Sequence, residues 1–343
     1  MPAQLRLLVF LALLGAAACN EDDDVTDSLP IEPAVGRRML VMNEGNFRRG
    51  NAGVSLYDFG TSEVVQQALS TEVAGTLDVL QSATVLRGDS LLVLVSNNTN
   101  ELVVIGAGDL SERARYAGAG SPRYLHELAD GRWLISDLYA GNLLVIEPQS
   151  GDRNLIAAPR HTEQIIEYDG LLYVAAPSSQ SVVMLDRDPT QIIDSIRTNC
   201  RVSALAVSPA GMLYAAAGVQ SPTDTARLLQ IEPQSQRIER VITLTIDEAS
   251  LYPRLVATAT GVAMLQRDLH LFDDDANGSV TRVPLPEVAQ PYGLGIDPFT
   301  GNWYVGDANA TFSGSGLVHV FENRSAGLSF PVGPLPGSFI FLD

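Results

Sequence analysis

An all-β fold is predicted: a seven-bladed β-propeller whose ring is closed by the C-terminal strand completing the first blade. Three observations predict it. A four-strand unit of roughly forty residues recurs along the chain. The first unit has three strands, and one strand is left over at the end. Turns alternate between tight and irregular, so a sheet folded from them has a plain face and an elaborate one.

The segment 121–157, SPRYLHELADGRWLISDLYAGNLLVIEPQSGDRNLIA, shows the unit most clearly. Short apolar or alternating runs, punctuated by Gly, Pro, Asp and Ser, are what antiparallel strands require. In chain order, Met39–Met42, Val54–Tyr57 and Val64–Gln67 make the three-strand unit. The second unit reads SATVLRG, LLVLVSN, ELVVIG, RARYAG, and the fourth EQIIEYDG, LLYVAAP, SVVMLDR, QIIDSIR. The fifth reads VSALAVSPAG, MLYAAAG, ARLLQIEP, RIERVITL, and the sixth PRLVATATG, VAMLQ, LHLFDDD, SVTRVPL. The seventh reads YGLGIDPFTG, NWYVGDA, GLVHVFEN, GLSFPV, after which GSFIFL at 337–342 stands alone. An open sandwich array leaves that strand without a place. A propeller uses it to complete the first sheet, and closure leaves only short, protected edges.

With strands labelled A to D from the axis outwards, the A–B and C–D turns are short and share one face. The B–C and D–A connections are longer and share the other, at 43–53, 68–81, 96–101, 137–142, 218–226, 244–252 and 307–316. Blade six is the exception, with only Arg267-Asp268 between B and C. Irregular loops on a rigid scaffold are where binding resides. The candidate ligand-binding residues are therefore those on this face. Blade one contributes Asn43, Glu44, Asn46, Phe47 and Arg48, and blade two Asn97 and Asn98. Blade three contributes Arg123, Tyr124, Asp137 and Tyr139, and blade four His161, beside Glu163. Blade six contributes Tyr252 and Arg254, and blade seven Tyr292, Asp307 and Asn309, near Phe312. Amides, charged groups and aromatic faces around one mouth suit a large, polar, partly flat ligand. The competing reading is local: Asn and Asp after a strand also hydrogen-bond their own turns.

The first residues read as targeting sequence rather than fold. Residues 1–18 form a signal peptide with a short apolar run, Leu7 to Leu14, and small residues ahead of Cys19. This resembles a bacterial lipoprotein signal with Cys19 as the lipidation site; the alternative is a plain secretory peptide cut after Ala18. Residues 19–37 read as an acidic tether. The acidic run Glu21-Asp22-Asp23-Asp24 resembles the surface-export signal of Bacteroidota lipoproteins. The propeller then occupies 38–343. Only Cys200 remains beside Cys19, so no intramolecular disulfide is expected. The net charge of −18, with no Lys, argues against nucleic acid and anionic headgroups as partners. Membrane association is expected through the lipid alone.

Motifs for chemistry are sparse. The four His show no metal-ligand spacing, and GxSxG, Walker and dinucleotide signatures are absent, so neither an enzyme nor a bound cofactor is expected. The run beginning Asp273, Asp275, Asn277 resembles the start of a calcium loop. Pro284 and Thr281 stand where closing ligands belong, so a polar hairpin competes with the metal reading.

The phrases VMNEGNFRRGNAGVSLYD, SPRYLHE, WLISDLYAGNLLVIEPQSG, DPFTGNWYVGDA and PGSFIFL resemble the exported YncE-like propeller lipoproteins of Bacteroidota, across residues 38–343. Members include BtuG-type surface proteins that bind cobalamin and pass it to a TonB-dependent outer-membrane transporter. The resemblance implies an outer-membrane, cell-surface lipoprotein capturing a corrinoid or similar metal chelate. Two alternatives stand beside it: an envelope module for protein or glycan contacts, and a lactonase-like hydrolase using Glu44, Asn97, Asp137 and Asp307.

Overall fold

The middle strands of each unit are apolar at nearly every position, as in LLVLVS (Leu91–Ser96) and ELVVIG (Glu101–Gly106). Strands covered on both faces need such runs. The outer strands alternate instead, as in RIERVITL (Arg237–Leu244), where exposed residues interleave with partly covered ones. A radial stack of sheets meets both demands. The computed structural model shows that arrangement, describing residues 36–343 apart from 89, 220–224, 245–252, 275–278 and 313.

Seven four-stranded antiparallel sheets form the ring. In the first, Pro336–Leu342 is innermost, followed by Arg38–Asn43, Gly53–Asp58 and Val64–Val65. The other inner strands are Leu80–Val85, Pro122–Glu127, Ile165–Tyr168, Val202–Val207, Arg254–Ala257 and Pro291–Ile296. A short α-helix, Thr71–Ala74, lies in the connection from blade one to blade two. Among the described residues, no helix is long and apolar enough to cross a membrane.

The core is divided rather than central: each pair of neighbouring blades encloses its own apolar cluster. Leu92, Leu94 and Val103 pack on Leu40, Val54 and Leu56 between blades two and one. Tyr304, Val318, Val320 and Phe330 pack on Met39, Val41 and Tyr57 between blades seven and one. This leaves the axis free for polar groups.

Closure uses backbone and charge together. Pro336–Leu342 pairs with Arg38–Asn43, with Val41 opposite Phe339 and Arg38 opposite Leu342. Blade seven makes room with glycine. A Cβ on Gly306 would lie 2.1 Å from the Pro336 carbonyl oxygen, and one on Gly293 2.3 Å from the same atom. On the plain face, Arg37 donates to the Asp297 carboxylate at 2.6 Å. Its guanidinium lies 4.5 Å from the ring centroids of both Phe59 and Phe299. Arg38 turns the other way and donates to the carbonyls of Gly108 and Ala107, at 2.9 and 3.3 Å. Two consecutive arginines thus tie blade one to both its neighbours.

Burial alone would raise the Asp297 carboxyl. Hydrogen bonds from the Thr300 hydroxyl and the Phe299 N–H, with the Arg37 charge, outweigh it and hold the group below 3.8. Its contribution is therefore present above the unfolded value and lost as pH falls through the lower folded one. Arg37→Ala is expected to cost about 2 kcal/mol near pH 7, less than a fully buried pair because Arg37 keeps some water contact. The same variant should cost less near pH 2, where Asp297 is closer to protonation, with the ring contacts to Phe59 and Phe299 still lost. Urea melts at the two pH values check this, and an equal loss at both would contradict it.

Candidate functional site

On the face carrying the longer loops, five of the seven inner strands break register near their first residue. The pairing passes over Gln81 between Leu80 and Ser82, and over Ser203 between Val202 and Ala204. It passes over Tyr292 between Pro291 and Gly293, and over Gly337 between Pro336 and Ser338. In blade three it breaks between Pro122 and Leu125, across Arg123 and Tyr124. A bulge inserts an unpaired residue and re-aims its side chain. The repeated break sets a ring of irregular positions around the mouth of the central channel.

Two polar groups assemble there. In the first, Arg123 Nε lies 3.0 Å from both carboxylate oxygens of Glu163, and Arg123 Nη1 donates to Gln81 Oε1. His161 Nε2 lies 2.8 Å from Glu163 Oε1. Blades two, three and four are joined through these groups. In the second, the Tyr292 hydroxyl donates to Glu44 Oε2 at 2.5 Å, and Arg254 Nε donates to the Tyr292 carbonyl at 3.0 Å. The Arg254 guanidinium sits 5.4 Å from the Tyr292 ring centroid. Blades six, seven and one meet here. Tyr124 links the halves, because it feels the charges of Arg254, Glu163, Arg123 and Glu44 together. Blades three and six are not neighbours, so that coupling crosses the axis.

Protonation follows from burial and pairing. Burial pushes the hydroxyls of Tyr124 and Tyr292 up, and Glu44 pushes Tyr292 further. Both are neutral donors at neutral pH. Burial works against the charge of Arg123, but Glu163 outweighs it and keeps the guanidinium protonated. The mouth therefore presents two cations, two carboxylates and neutral hydroxyls in a shielded setting, where each interaction is stronger than in water.

On the same face, three aromatic side chains stand in solvent on the loops of blades one, three and seven: Phe47 at 60% exposure, Tyr139 at 70% and Phe312 at 41%. Asn46 Nδ2 donates to the Phe312 carbonyl at 2.8 Å, joining two of these loops. The Arg48 guanidinium lies 4.9 Å from the Phe47 ring centroid, while Arg48 N–H reaches both Asp78 carboxylate oxygens at 3.0 Å. Asn98 Nδ2 donates to the same carboxylate at 2.5 Å.

The remaining candidates hold loops. Asn43 is buried and donates to Ser55 Oγ at 2.8 Å; Asn97 Nδ2 donates to the Pro122 carbonyl at 2.9 Å. The Asp137 carboxylate accepts the N–H groups of Ser121, Tyr139 and Ala140, at 2.6, 2.6 and 2.5 Å. Asp307 accepts those of Ala289, Gln290 and Asn309, at 2.8, 2.9 and 2.9 Å. Asn309 Nδ2 donates to the Ser315 carbonyl at 2.9 Å. Glu44, Asn97, Asp137 and Asp307 are thus separately engaged, and among the described residues no group of three or more His, Cys, Asp or Glu is placed to hold a metal. Asp273 accepts the Thr260 hydroxyl, and Asp274 accepts the Tyr214 hydroxyl at 3.0 Å. Asp275, Asn277, Tyr252 and Cys19 lie outside the described residues. Sequence reasoning passes over Gln81. The available signal was positional: it is second in its inner strand, as Arg123 is in its own.

Residues 37–264 match the family described as "Domain of unknown function (DUF5074)", more than half of the 343-residue chain. The chain belongs to the DUF5074 family. No curated protein matches it in sequence. Among solved structures, this DUF5074 chain is similar to a Bacteroides uniformis protein provisionally described as a 6-phosphogluconolactonase. That match has TM-score 0.65 and 14% identity, covering 89% of this chain and 99% of the other. A Lactobacillus plantarum protein matches with TM-score 0.64 and 15% identity, covering 90% and 99%. Hydrazine synthase of Kuenenia stuttgartiensis matches with TM-score 0.63 and 17% identity, covering 73% and 86%. At these identities the likeness is one of fold, the seven-bladed propeller of the lactonase-like kind.

Asp307 provides a check on the division between loop-holding and mouth residues. Burial would raise its carboxyl, but His319 and three backbone N–H groups hold it at about 2 against a usual 3.8. Its stabilisation is full above the unfolded value and lost as pH falls toward 2. Asp307→Asn is expected to cost about 2 kcal/mol at pH 7 and progressively less below pH 4. Tyr124→Phe should leave that pH profile unchanged in thermal melts.

Proposed function

We propose that this DUF5074 propeller is a ligand-capturing protein of the cell envelope. In this reading Cys19 anchors it by lipid to the outer membrane, facing outwards, and it delivers its ligand to a TonB-dependent transporter. The leading ligand class is a corrinoid or a similar flat, amide-rich metal chelate. One observation carries the reading: Glu44, Arg123, Tyr124, Arg254 and Tyr292 gather at one end of the ring's axis, on the face whose loops also carry three exposed aromatic rings.

The chemistry supports it in two ways. Exposed Phe47, Tyr139 and Phe312 are large apolar surfaces that folding has left in water. Covering them with a flat ligand recovers about 25 cal/mol for each Å² buried. The polar groups on that face supply donors and acceptors that are already oriented, so little entropy is lost in arranging them. The ligand class and the transporter rest on the resemblance of NEGNF and PGSFIFL to the YncE-like propeller lipoproteins, a family whose members include cobalamin-capturing proteins. The lipid anchor rests on the small residues ahead of Cys19.

Cyanocobalamin titrated into micromolar protein in a calorimeter is expected to give saturable heat. Arg254→Ala should weaken binding by about tenfold, the worth of one hydrogen bond to a charged group. Tyr139→Ala should weaken it with the melting temperature unchanged. A flat titration with well-folded protein would falsify the corrinoid reading and favour a protein or glycan partner on this face.

A further inference from the structure

Within the mouth, one opposite-charge pair is held apart. Arg254 Nη2 stands 3.8 Å from Glu44 Oε2, beyond hydrogen-bond length. Both side chains are shielded, at 18% and 16% exposure. Tyr292 fixes both of them: its hydroxyl holds Glu44 Oε2, its carbonyl holds Arg254 Nε, and its ring lies under the guanidinium. Among the described residues, Glu44 Oε1 then has no donor, and the two terminal nitrogens of Arg254 have no hydrogen-bond acceptor. Neither side chain is closed off from solvent, so these positions are open to water or to a ligand that replaces it.

The bulged strand beside them carries no side chain at the critical point. A Cβ on Gly337 would stand 3.3 Å from Arg254 Nη2, 3.6 Å from Tyr292 Cε1 and 3.7 Å from Glu44 Oε2. Bare backbone therefore borders the pair, and the side of the pair that a Cβ would touch is left open. The Tyr124 hydroxyl, which feels both charges, has no hydrogen-bond partner among the described residues.

We infer that the Arg254–Glu44 pair is a recognition subsite for a primary carboxamide. The amide oxygen accepts from an Arg254 terminal N–H, and the amide N–H donates to Glu44 Oε1. A carboxylate would satisfy Arg254 but set a second negative charge against Glu44 in a shielded site. An ammonium would satisfy Glu44 and oppose Arg254. Only a neutral group with donor and acceptor side by side completes both. The subsite rests on the ligand-binding reading above and names the functional group it selects.

Nicotinamide and nicotinate, matched in ring and size, test it in purified protein by NMR shift titration at millimolar ligand. Nicotinamide is expected to bind about tenfold tighter, the worth of one hydrogen bond to a charged group. Glu44→Gln, near-isosteric and checked for folding by circular dichroism, should erase or reverse that preference. If that variant does not fold, Arg254→Gln should abolish nicotinamide binding instead. The inference is overturned by equal or better binding of nicotinate to the wild type. Undetectable nicotinamide binding, or an amide preference that survives Glu44→Gln, overturns it equally. A flat cyanocobalamin titration with the amide preference intact removes the corrinoid and leaves the subsite. Cobalamin binding without that preference removes the subsite and leaves the receptor.

Discussion

The pairing of Pro336–Leu342 with Arg38–Asn43 joins the two ends of the described chain and converts seven sheets into a ring. Without it, blade one lacks its inner strand and blade seven exposes Tyr304, Val318 and Phe330. Because every apolar cluster lies between two blades, each depends on both neighbours being in place. Glycines 293 and 306 admit the Pro336 carbonyl at distances no side chain allows, so the seam is built into blade seven's sequence as well as the terminal strand's.

Closure also creates the site. The inner strands converge on the axis, and their register breaks turn Gln81, Arg123, Tyr124 and Tyr292 toward groups from distant parts of the chain. The Tyr292–Glu44 hydrogen bond spans 248 positions in sequence, and the Arg123–Glu163 pair spans 40. Such buried charges are stabilised only if their partners stand in place, because an unpaired one costs several kcal/mol. The closed ring brings both sets into place with Arg254 and Glu44 3.8 Å apart.

The candidate residues divide by a single physical criterion: whether the backbone already uses them. Asp137 and Asp307 each accept three main-chain N–H groups and act as braces between successive loops. Asn43, Asn97 and Asn309 do related work. Arg254, Glu44 and Tyr124 retain hydrogen-bonding capacity facing the mouth, and Phe47 and Tyr139 retain apolar surface. Short polar residues at strand ends fall into the first group because their reach ends at the nearest turn. Long or aromatic ones fall into the second.

The sequence by itself determined the blades, their order, the spare strand that closes the ring and the face that carries the irregular loops. Those are local properties: alternation, turn residues and loop length act within a few positions, and repetition makes them legible seven times. It also pointed to Glu44, Arg123, Tyr124, His161, Arg254 and Tyr292, but only among braces of similar chemistry. Which of them meet was decided by tertiary structure alone. A register break shifts a strand by one residue without leaving a mark in composition, and contacts across the axis join blades with no sequence proximity. Gln81 shows the difference. Nothing in its neighbourhood distinguishes it until the bulge of blade two sets it against Arg123.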